Sequence, residues 1–184
     1  MQLRFRLASD LRPLSTSKAL DSLPAEPHLL FLCLGNICRS PMAERYARKQ
    51  LSDREAHGIT VDSTGFIETE GRSSPKPAIE VASRYGVDLS NHRSKRVTSD
   101  QVDRSDLIIL MDTRNYNHLR AEFGGATNHA FFLKPFMNRS RQNFEISDPY
   151  NGNIDEFEIT YKEVTAAVDG LVRSVRRADE ASLS

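Results

Sequence analysis

Apolar positions along the chain recur in two alternating rhythms, short unbroken runs and longer stripes at helical spacing. Residues 28–32 (HLLFL), 58–63 (GITVDS), 106–111 (DLIILM) and 129–133 (HAFFL) are runs of strand length. The first and third carry almost no polar interruption, the pattern of strands buried on both faces of a parallel sheet. Residues 41–51 open on a proline and repeat apolar side chains at Met42 and Tyr46 and at Ala43 and Ala47, which predicts a helix. Residues 78–85 predict a second helix closed by Gly86, and residues 114–123 a third closed by Gly124 and Gly125. In the last stripe Phe157, Tyr161, Val164, Val168, Leu171 and Val175 step by four, three, four, three and four, giving a long helix one continuous apolar face. Strand and helix in turn predict a single-domain α/β fold, an open parallel four-stranded sheet with helices on both faces. Such a three-layer sandwich is flavodoxin-like, and its ligands bind beyond the carboxyl ends of the strands, where the following helices begin.

With 184 residues the chain can bury one substantial core and is too short for two ordinary domains. The periodic region, residues 28–178, reads as the domain. Residues 1–27 mix Arg4, Arg6, Arg12 and Lys18 with Ser, Thr and prolines at 13, 24 and 27 without a sustained period. They read as an N-terminal extension, partly disordered, and residues 179–184 read as a C-terminal tail. Arginines and Asp10 interrupt the apolar core that a signal peptide needs, and Asp10, Asp21 and Glu26 argue against an organellar transit peptide. Lys plus Arg balances Asp plus Glu at 25 each, so net charge favours neither nucleic acid nor a membrane surface as partner. No apolar run reaches membrane-spanning length. The two cysteines, five positions apart, do not make a disulfide framework, which leaves a reducing cytoplasm as the expected compartment.

Both cysteines fall in one segment, Cys33-Leu34-Gly35-Asn36-Ile37-Cys38-Arg39-Ser40-Pro41, which joins the first strand to the first helix. Gly35 and Asn36 enter left-handed backbone most cheaply, so successive amide N–H groups can converge there into a nest for an anion. Two anions fit it, the ionised sulfur of Cys33 and the oxygens of a phosphate. Amides, the helix dipole and the Arg39 guanidinium all favour the thiolate form of a cysteine. Arg39 also presents a planar fork that matches two phosphate oxygens, and the Ser40 hydroxyl can donate to the sulfur. Either cysteine alone reads as inert core, and Gly-Asn as an ordinary turn. The joint spacing of cysteine, arginine, serine and proline favours the nucleophile.

A thiolate attacking a phosphate ester leaves an oxyanion that departs better when an acid protonates it. Asp148, in Ile146-Ser147-Asp148-Pro149-Tyr150, is the candidate. Pro149 restricts Asp148 to extended backbone and so fixes the direction of its carboxyl. Tyr150 can wall the pocket and stack on an aromatic leaving group. The alternative is a plain Asp-Pro turn before the last helix.

At these residues the chain resembles a known family. Residues 33–44 (CLGNICRSPMAE) look like the phosphate loop of the low-molecular-weight protein tyrosine phosphatases, and Asp148-Pro149-Tyr150 resembles their acid loop. The likeness covers about residues 29–175 and includes Val61-Asp62-Ser63, residues 86–93 and Ile109-Leu110-Met111-Asp112. It implies that Cys33 attacks phosphorus, that Arg39 and the loop residues Leu34, Gly35, Asn36, Ile37, Cys38 and Ser40 hold the phosphate, and that Asp148 protonates the leaving oxygen. Water then releases inorganic phosphate, and neither metal nor other cofactor is called for. The substrate it implies is a phosphotyrosine-bearing protein.

Asn36, Ser40, Ser63 and His92 match family positions that hold the loop in shape, although a histidine alone also reads as a surface or core residue. Related protein-arginine phosphatases place threonine where this chain has Ile37, which points toward an aryl ring; packing within the turn is the other reading. Cys38 matches a family cysteine that can pair with the nucleophile, and equally reads as a small buried filler. The chain departs from the pattern at residues 63–70 (STGFIETE), one residue short and lacking the usual Trp or Tyr wall, with Phe66 the candidate substitute. Glu68 and Glu70 would either repel an acidic peptide or sit solvated, and Arg72 to Pro77 match the family segment only loosely. Two other readings stay open. A thiol-dependent arsenate reductase with an internal relay needs further cysteines, and a non-catalytic phosphoprotein-binding module needs no acid.

Overall fold

The computed structural model describes residues 20, 22–53, 58–138 and 143–182. Four parallel strands, β1 (His28–Cys33), β2 (Thr60–Gly65), β3 (Leu107–Leu110) and β4 (Ala130–Phe132), form one sheet of order β2-β1-β3-β4. The two most continuously apolar strands, β1 and β3, take the central places, where both faces are covered. Between and after them, in chain order, lie α1 (Arg39–Ser52), α2 (Lys76–Arg84), α3 (Ser99–Asp103), α4 (Thr113–Glu122), α5 (Pro135–Asn138) and α6 (Ile154–Ser182).

Strand periodicity sorts the core into two layers. Leu29, Phe31 and Cys33 of β1 join Ile109 and Phe131 on one face, packed against Met42 and Ala47 of α1, Val81 of α2 and the stripe of α6 from Phe157 to Val175. Leu30 and Leu32 point to the other face with Ile108 and Leu110, against Val97, Val102 of α3 and Leu119 of α4. Cys33 is thus the last residue of a buried strand, and the next residue begins the loop that leads into α1. The four-stranded parallel sheet with helices on both faces is the expected one.

Several boundaries differ from the sequence reading, each for a local reason. β2 runs from residue 60 to residue 65, not 58 to 63, because its pairing starts at Thr60, whose N–H donates to the Pro27 carbonyl, and continues to Gly65 opposite Cys33. Helix α1 begins at Arg39, two residues before Pro41. Pro41 therefore lies in the first turn, where its missing N–H has no partner to lose. Gly124 and Gly125 open a 3₁₀ turn over Gly124–His129 after α4 ends at Glu122. Gly86 closes α2 as expected, at φ 69°. Unpredicted α3 is a single short turn fixed by a capping box, in which the Thr98 side chain and the N–H of Gln101, and the Gln101 side chain and the N–H of Thr98, bond reciprocally.

Leu20 is buried in the first layer and Leu23 packs against it. Residues 1–19 and 21 of the predicted extension, and residues 183–184 of the predicted tail, lie outside the described residues. No helix among the described residues is long and apolar enough to cross a membrane.

Candidate active site

The loop at residues 33–40 leaves the carboxyl end of β1 and turns at Asn36, whose φ of 50° makes it the one non-glycine residue with positive φ among the described residues. Asparagine tolerates that region better than other side chains. Gly35 does not take the expected left-handed backbone, and a Cβ there would lie 3.1 Å from Nη2 of Arg72, a close fit against a side-chain end. Gly65 of β2 serves the loop as well, since a Cβ on it would meet Asn36 N at 2.8 Å and the Leu34 carbonyl at 2.9 Å. The strained turn and the neighbouring strand therefore fit together through the missing side chain of Gly65.

The side chain of Asn36 is fully buried, and all its polar atoms are used. Its amide donates to Ser40 Oγ at 3.0 Å and to Ser63 Oγ at 2.9 Å, and its Oδ1 accepts from Lys95 N at 2.9 Å. Ser63 Oγ donates in turn to Glu44 Oε2 at 2.6 Å. His92 is buried and bonds the Asn36 carbonyl at 2.6 Å. A carbonyl only accepts, so Nε2 of His92 carries the proton. Burial lowers the His92 pKa below the ordinary value, with the bond to Asn36 and the charge of Glu44 opposing that; a neutral ring suffices for this bond.

These supports converge on the sulfur. Cys33 Sγ accepts from Asn36 N at 3.2 Å and lies 3.1 Å from Ser40 Oγ. Ser40 Oγ is already an acceptor from Asn36, which leaves its proton for the sulfur, the Thr64 carbonyl being farther at 3.4 Å. Cys33 and Cys38 are both buried and both free. The thiol of Cys38 is pushed far up by burial, then by Cys33 and Asp148. Tyr161, a member of the α6 stripe, reaches the Cys38 carbonyl with its hydroxyl at 3.1 Å.

Arg39 is only 1 % exposed. Its Nη1 donates to Asp112 Oδ2 at 2.6 Å and to the Ile146 carbonyl at 2.9 Å, and its Nη2 to Asp148 Oδ2 at 2.7 Å. Burial works against the charge, yet Cys33, Asp148 and Asp112 outweigh it and raise the pKa of the guanidinium above its usual value. Of the two N–H groups left over, one on Nη2 and one on Nε, the Nε atom is buried and has no partner among the described residues. A buried, unpaired donor on a fixed cation, in the loop that holds a sulfur nucleophile, suits an incoming anion. Asp148 sits at the rim, its side chain 40 % exposed, with Oδ1 accepting from Tyr150 N at 3.3 Å. Tyr150 itself is 54 % exposed.

The predicted residues thus fall into two bonded sets, Cys33 with Asn36, Ser40, Ser63 and His92, and Arg39 with Asp148 and Tyr150, which the adjacent positions 39 and 40 of one loop bring side by side. Ile37, 7 % exposed, is part of the first core layer, so packing accounts for most of its surface. The Leu34 carbonyl accepts from Phe66 N and Ile67 N, tying the loop to the segment after β2. Phe66 is not a pocket wall: it is buried in the second layer, stacked on His118 at 5.2 Å between ring centroids. Burying its ring among Val97, Val102 and Leu119 gains more than exposing it at the loop, so Phe66 takes the inward position. Glu70 accepts from Arg96 N at 2.7 Å, and Glu68 and Glu122 pair with the Arg96 guanidinium, so the acidic loop is partly neutralised.

Asp112 joins the Arg39 set, and Glu44 and Arg72 join the Cys33 loop, although the sequence reading gave none of the three a role. Asp112 both caps α4, accepting from Asn115 N at 2.8 Å, and holds Arg39; its place at the end of a buried strand was the available signal. Glu44 lies one helical turn after Ser40. Arg72 was marked only by opening a segment that matches the family loosely. Among the described residues no group of three His, Cys, Asp or Glu side chains is placed to hold a metal ion.

Residues 28–181 match the family model described as low molecular weight phosphotyrosine protein phosphatase. A probable low molecular weight protein-tyrosine-phosphatase, EpsP of Ralstonia nicotianae, is 32 % identical over 148 residues, covering 80 % of this chain and 95 % of that one. A protein-arginine-phosphatase of Bacillus subtilis is 29 % identical over 150 residues, 81 % of this chain and 97 % of the other. Among solved structures, Vibrio vulnificus Wzb in complex with benzylphosphonate superposes with a TM-score of 0.71 at 28 % identity, over 80 % of this chain and 97 % of that chain.

Proposed function

Because the chain belongs to the low molecular weight phosphotyrosine protein phosphatase family, we propose that it hydrolyses aryl phosphate monoesters, phosphotyrosine in proteins, through a phosphocysteine at Cys33. The observation that carries this is the pair formed by the Cys33 sulfur, held by Asn36 N and Ser40 Oγ, and the buried unpartnered Nε of Arg39. The Cys33 thiolate attacks phosphorus, the bond to the aryl oxygen breaks, and the leaving oxygen takes a proton from Asp148. Arg39 and the loop stabilise the equatorial oxygens as they spread. In the second step water attacks the phosphocysteine, Asp148 takes the water proton, the S–P bond breaks and inorganic phosphate leaves. Ser40 stabilises the returning thiolate.

The phosphate competes with Asp148 for Arg39, which frees the carboxyl to turn toward the leaving oxygen. Tyr150 supplies an aromatic wall, and Ile37 presents carbon, not a hydroxyl, beside the loop; the benzylphosphonate complex of the Vibrio vulnificus relative is in keeping with an aryl substrate. The reading includes a cytoplasmic setting, in which the unpaired Cys33 and Cys38 stay reduced. Initial rates on p-nitrophenyl phosphate, phosphotyrosine peptide and phosphoarginine, measured on one preparation, test it. The aryl esters are expected to turn over and phosphoarginine to lag, and Cys33→Ser is expected to abolish turnover while retaining phosphate binding. Preference for phosphoarginine would move the chain to the activity named for its Bacillus subtilis relative, and multiple turnover by Cys33→Ser would remove the nucleophile.

A further inference from the structure

Arg72 lies on the segment after β2 where an aromatic wall is lacking, and its guanidinium turns back over the loop. Its Nε donates to the Thr69 carbonyl at 3.1 Å and its Nη2 to the Gly35 carbonyl at 2.5 Å. The main chain around Arg72 is pinned in turn, its N–H donating to Ser94 Oγ at 3.0 Å and its carbonyl accepting from Ser94 N at 2.9 Å. The Gly35 carbonyl belongs to the same peptide unit as Asn36 N, the group that donates to Cys33 Sγ at 3.2 Å. A cation on the carbonyl polarises the whole amide and strengthens its N–H as a donor. It also fixes the plane of a peptide whose next residue is strained at φ 50°. His92 does the same for the following unit by donating to the Asn36 carbonyl, so two consecutive peptides of the nest are each held from behind.

We propose that Arg72 is a positioning residue for Cys33: its guanidinium, bound to the Gly35 carbonyl, aims and strengthens the Asn36 N–H that stabilises the sulfur as a thiolate. The reagent that tests this is neutral iodoacetamide, which the Arg72 charge does not attract. Its reaction is followed at pH 6 by mass spectrometry, so that alkylation at Cys33 is counted apart from Cys38. Arg72→Met is expected to slow alkylation of Cys33 by about tenfold, the scale of one lost charge-assisted hydrogen bond. Arg72→Lys, which keeps a charged donor for Gly35, is expected to recover most of that rate. kcat/KM on p-nitrophenyl phosphate is expected to follow the alkylation rate across the series.

Alkylation within twofold of wild type in Arg72→Met overturns the proposal, whatever happens to hydrolysis, because a merely structural or substrate-touching arginine would not move the thiol. A lysine variant as slow as the methionine one overturns it too. If the methionine variant does not fold, Arg72→Gln replaces it, since a neutral donor is expected to be slow where the charged lysine is fast. The inference rests on Cys33 being the nucleophile of the proposed function, but alkylation needs no substrate. A thiol that responds to Arg72 in a chain inert toward aryl phosphates would sink the phosphatase reading and leave this one standing.

Discussion

At the carboxyl ends of the strands Arg39 bonds Asp112 at 2.6 Å and Asp148 at 2.7 Å; near the amino ends Arg48 and Arg104 bond Asp62 at 3.3 and 3.2 Å. The residue types are the same and the surroundings are not. Arg39 is 1 % exposed, whereas Arg48 and Arg104 are 54 % and 57 % exposed. An exposed pair is worth about 0–1 kcal/mol, while removing one member of a buried pair costs about 3–5 kcal/mol because the other charge is left dry. In the lower cluster Arg48 also pairs with Glu44, at 3.1 Å. His28 bonds Asp62 through Nε2 at 3.0 Å, its N–H donates to Asp106 at 2.8 Å, and Nδ1 faces Ser105 Oγ at 3.2 Å, which laces β1 to β2 and to the start of β3. The upper cluster has a donor to spare, Arg39 Nε. Pairing of charges does not mark a site; burial with an unspent donor does.

The sharpest way to break this contrast is to make one conservative change at each end. Arg39→Lys keeps the charge and loses the planar fork, so it is expected to lower kcat/KM on p-nitrophenyl phosphate by about a thousandfold or more. Arg104→Lys is expected to leave it within twofold. Equal losses at the two ends would mean that the upper pairs, too, are only structural. Asp148→Asn comes next in size, with a loss of about a hundredfold for esters of poor leaving groups and much less for p-nitrophenol, which departs without help. Rates plotted against leaving-group pKa should therefore steepen in the variant; a parallel line would take the acid role from Asp148.

A smaller effect distinguishes the buried loop through pH. Burial holds the His92 pKa below its ordinary value of 6.5. The unfolded chain then takes up a proton more readily than the folded one, so His92 contributes stability that is fully present above that ordinary value. It is lost as pH falls through the lower folded value. Urea unfolding at pH 7.5, 6.5 and 5.5 should show stability declining with acid, and His92→Gln should flatten the decline over that window. Identical slopes would mean that His92 is protonated as easily in the fold as out of it.

How much of this could be read from the chain follows the range of the interactions. The alternation of 28–32 with 41–51, and the four-three stripe from Phe157 to Val175, are local patterns, and they led to the parallel sheet, the covering helices and the loop between β1 and α1. Cys33, Arg39 and Ser40 were legible because one loop carries all three. Asp148 is 109 positions from Arg39 and was found through the chemistry a thiolate needs. Asp112 and Arg72 act through contacts 73 and 37 positions apart, and their neighbours mark them only weakly, Asp112 by the end of a buried strand and Arg72 by a loosely matching segment. Phe66 went astray for the same reason: its inward turn is decided by space left in the second layer beside His118, not by its own segment. α3 escaped because a single turn has too few positions to show a period, although Thr98 and Gln101 spelled its cap.

The smallest expected effect bounds the comparison from below. Asp62 has three cationic or polar partners, His28 at 3.0 Å, Arg104 at 3.2 Å and Arg48 at 3.3 Å, so deleting Arg104 leaves its carboxylate still bonded on both oxygens. Arg104→Ala is therefore expected to change unfolding free energy by less than about 1 kcal/mol, with the difference shrinking further in 0.5 M salt as the exposed charges are screened. kcat/KM should not move, because β1 and β2 remain paired from His28–Thr60 to Cys33–Gly65 and carry the loop unchanged. A stability loss several times larger, or a fall in turnover, would show that the lower cluster tensions the sheet and reaches Cys33 through the length of β1.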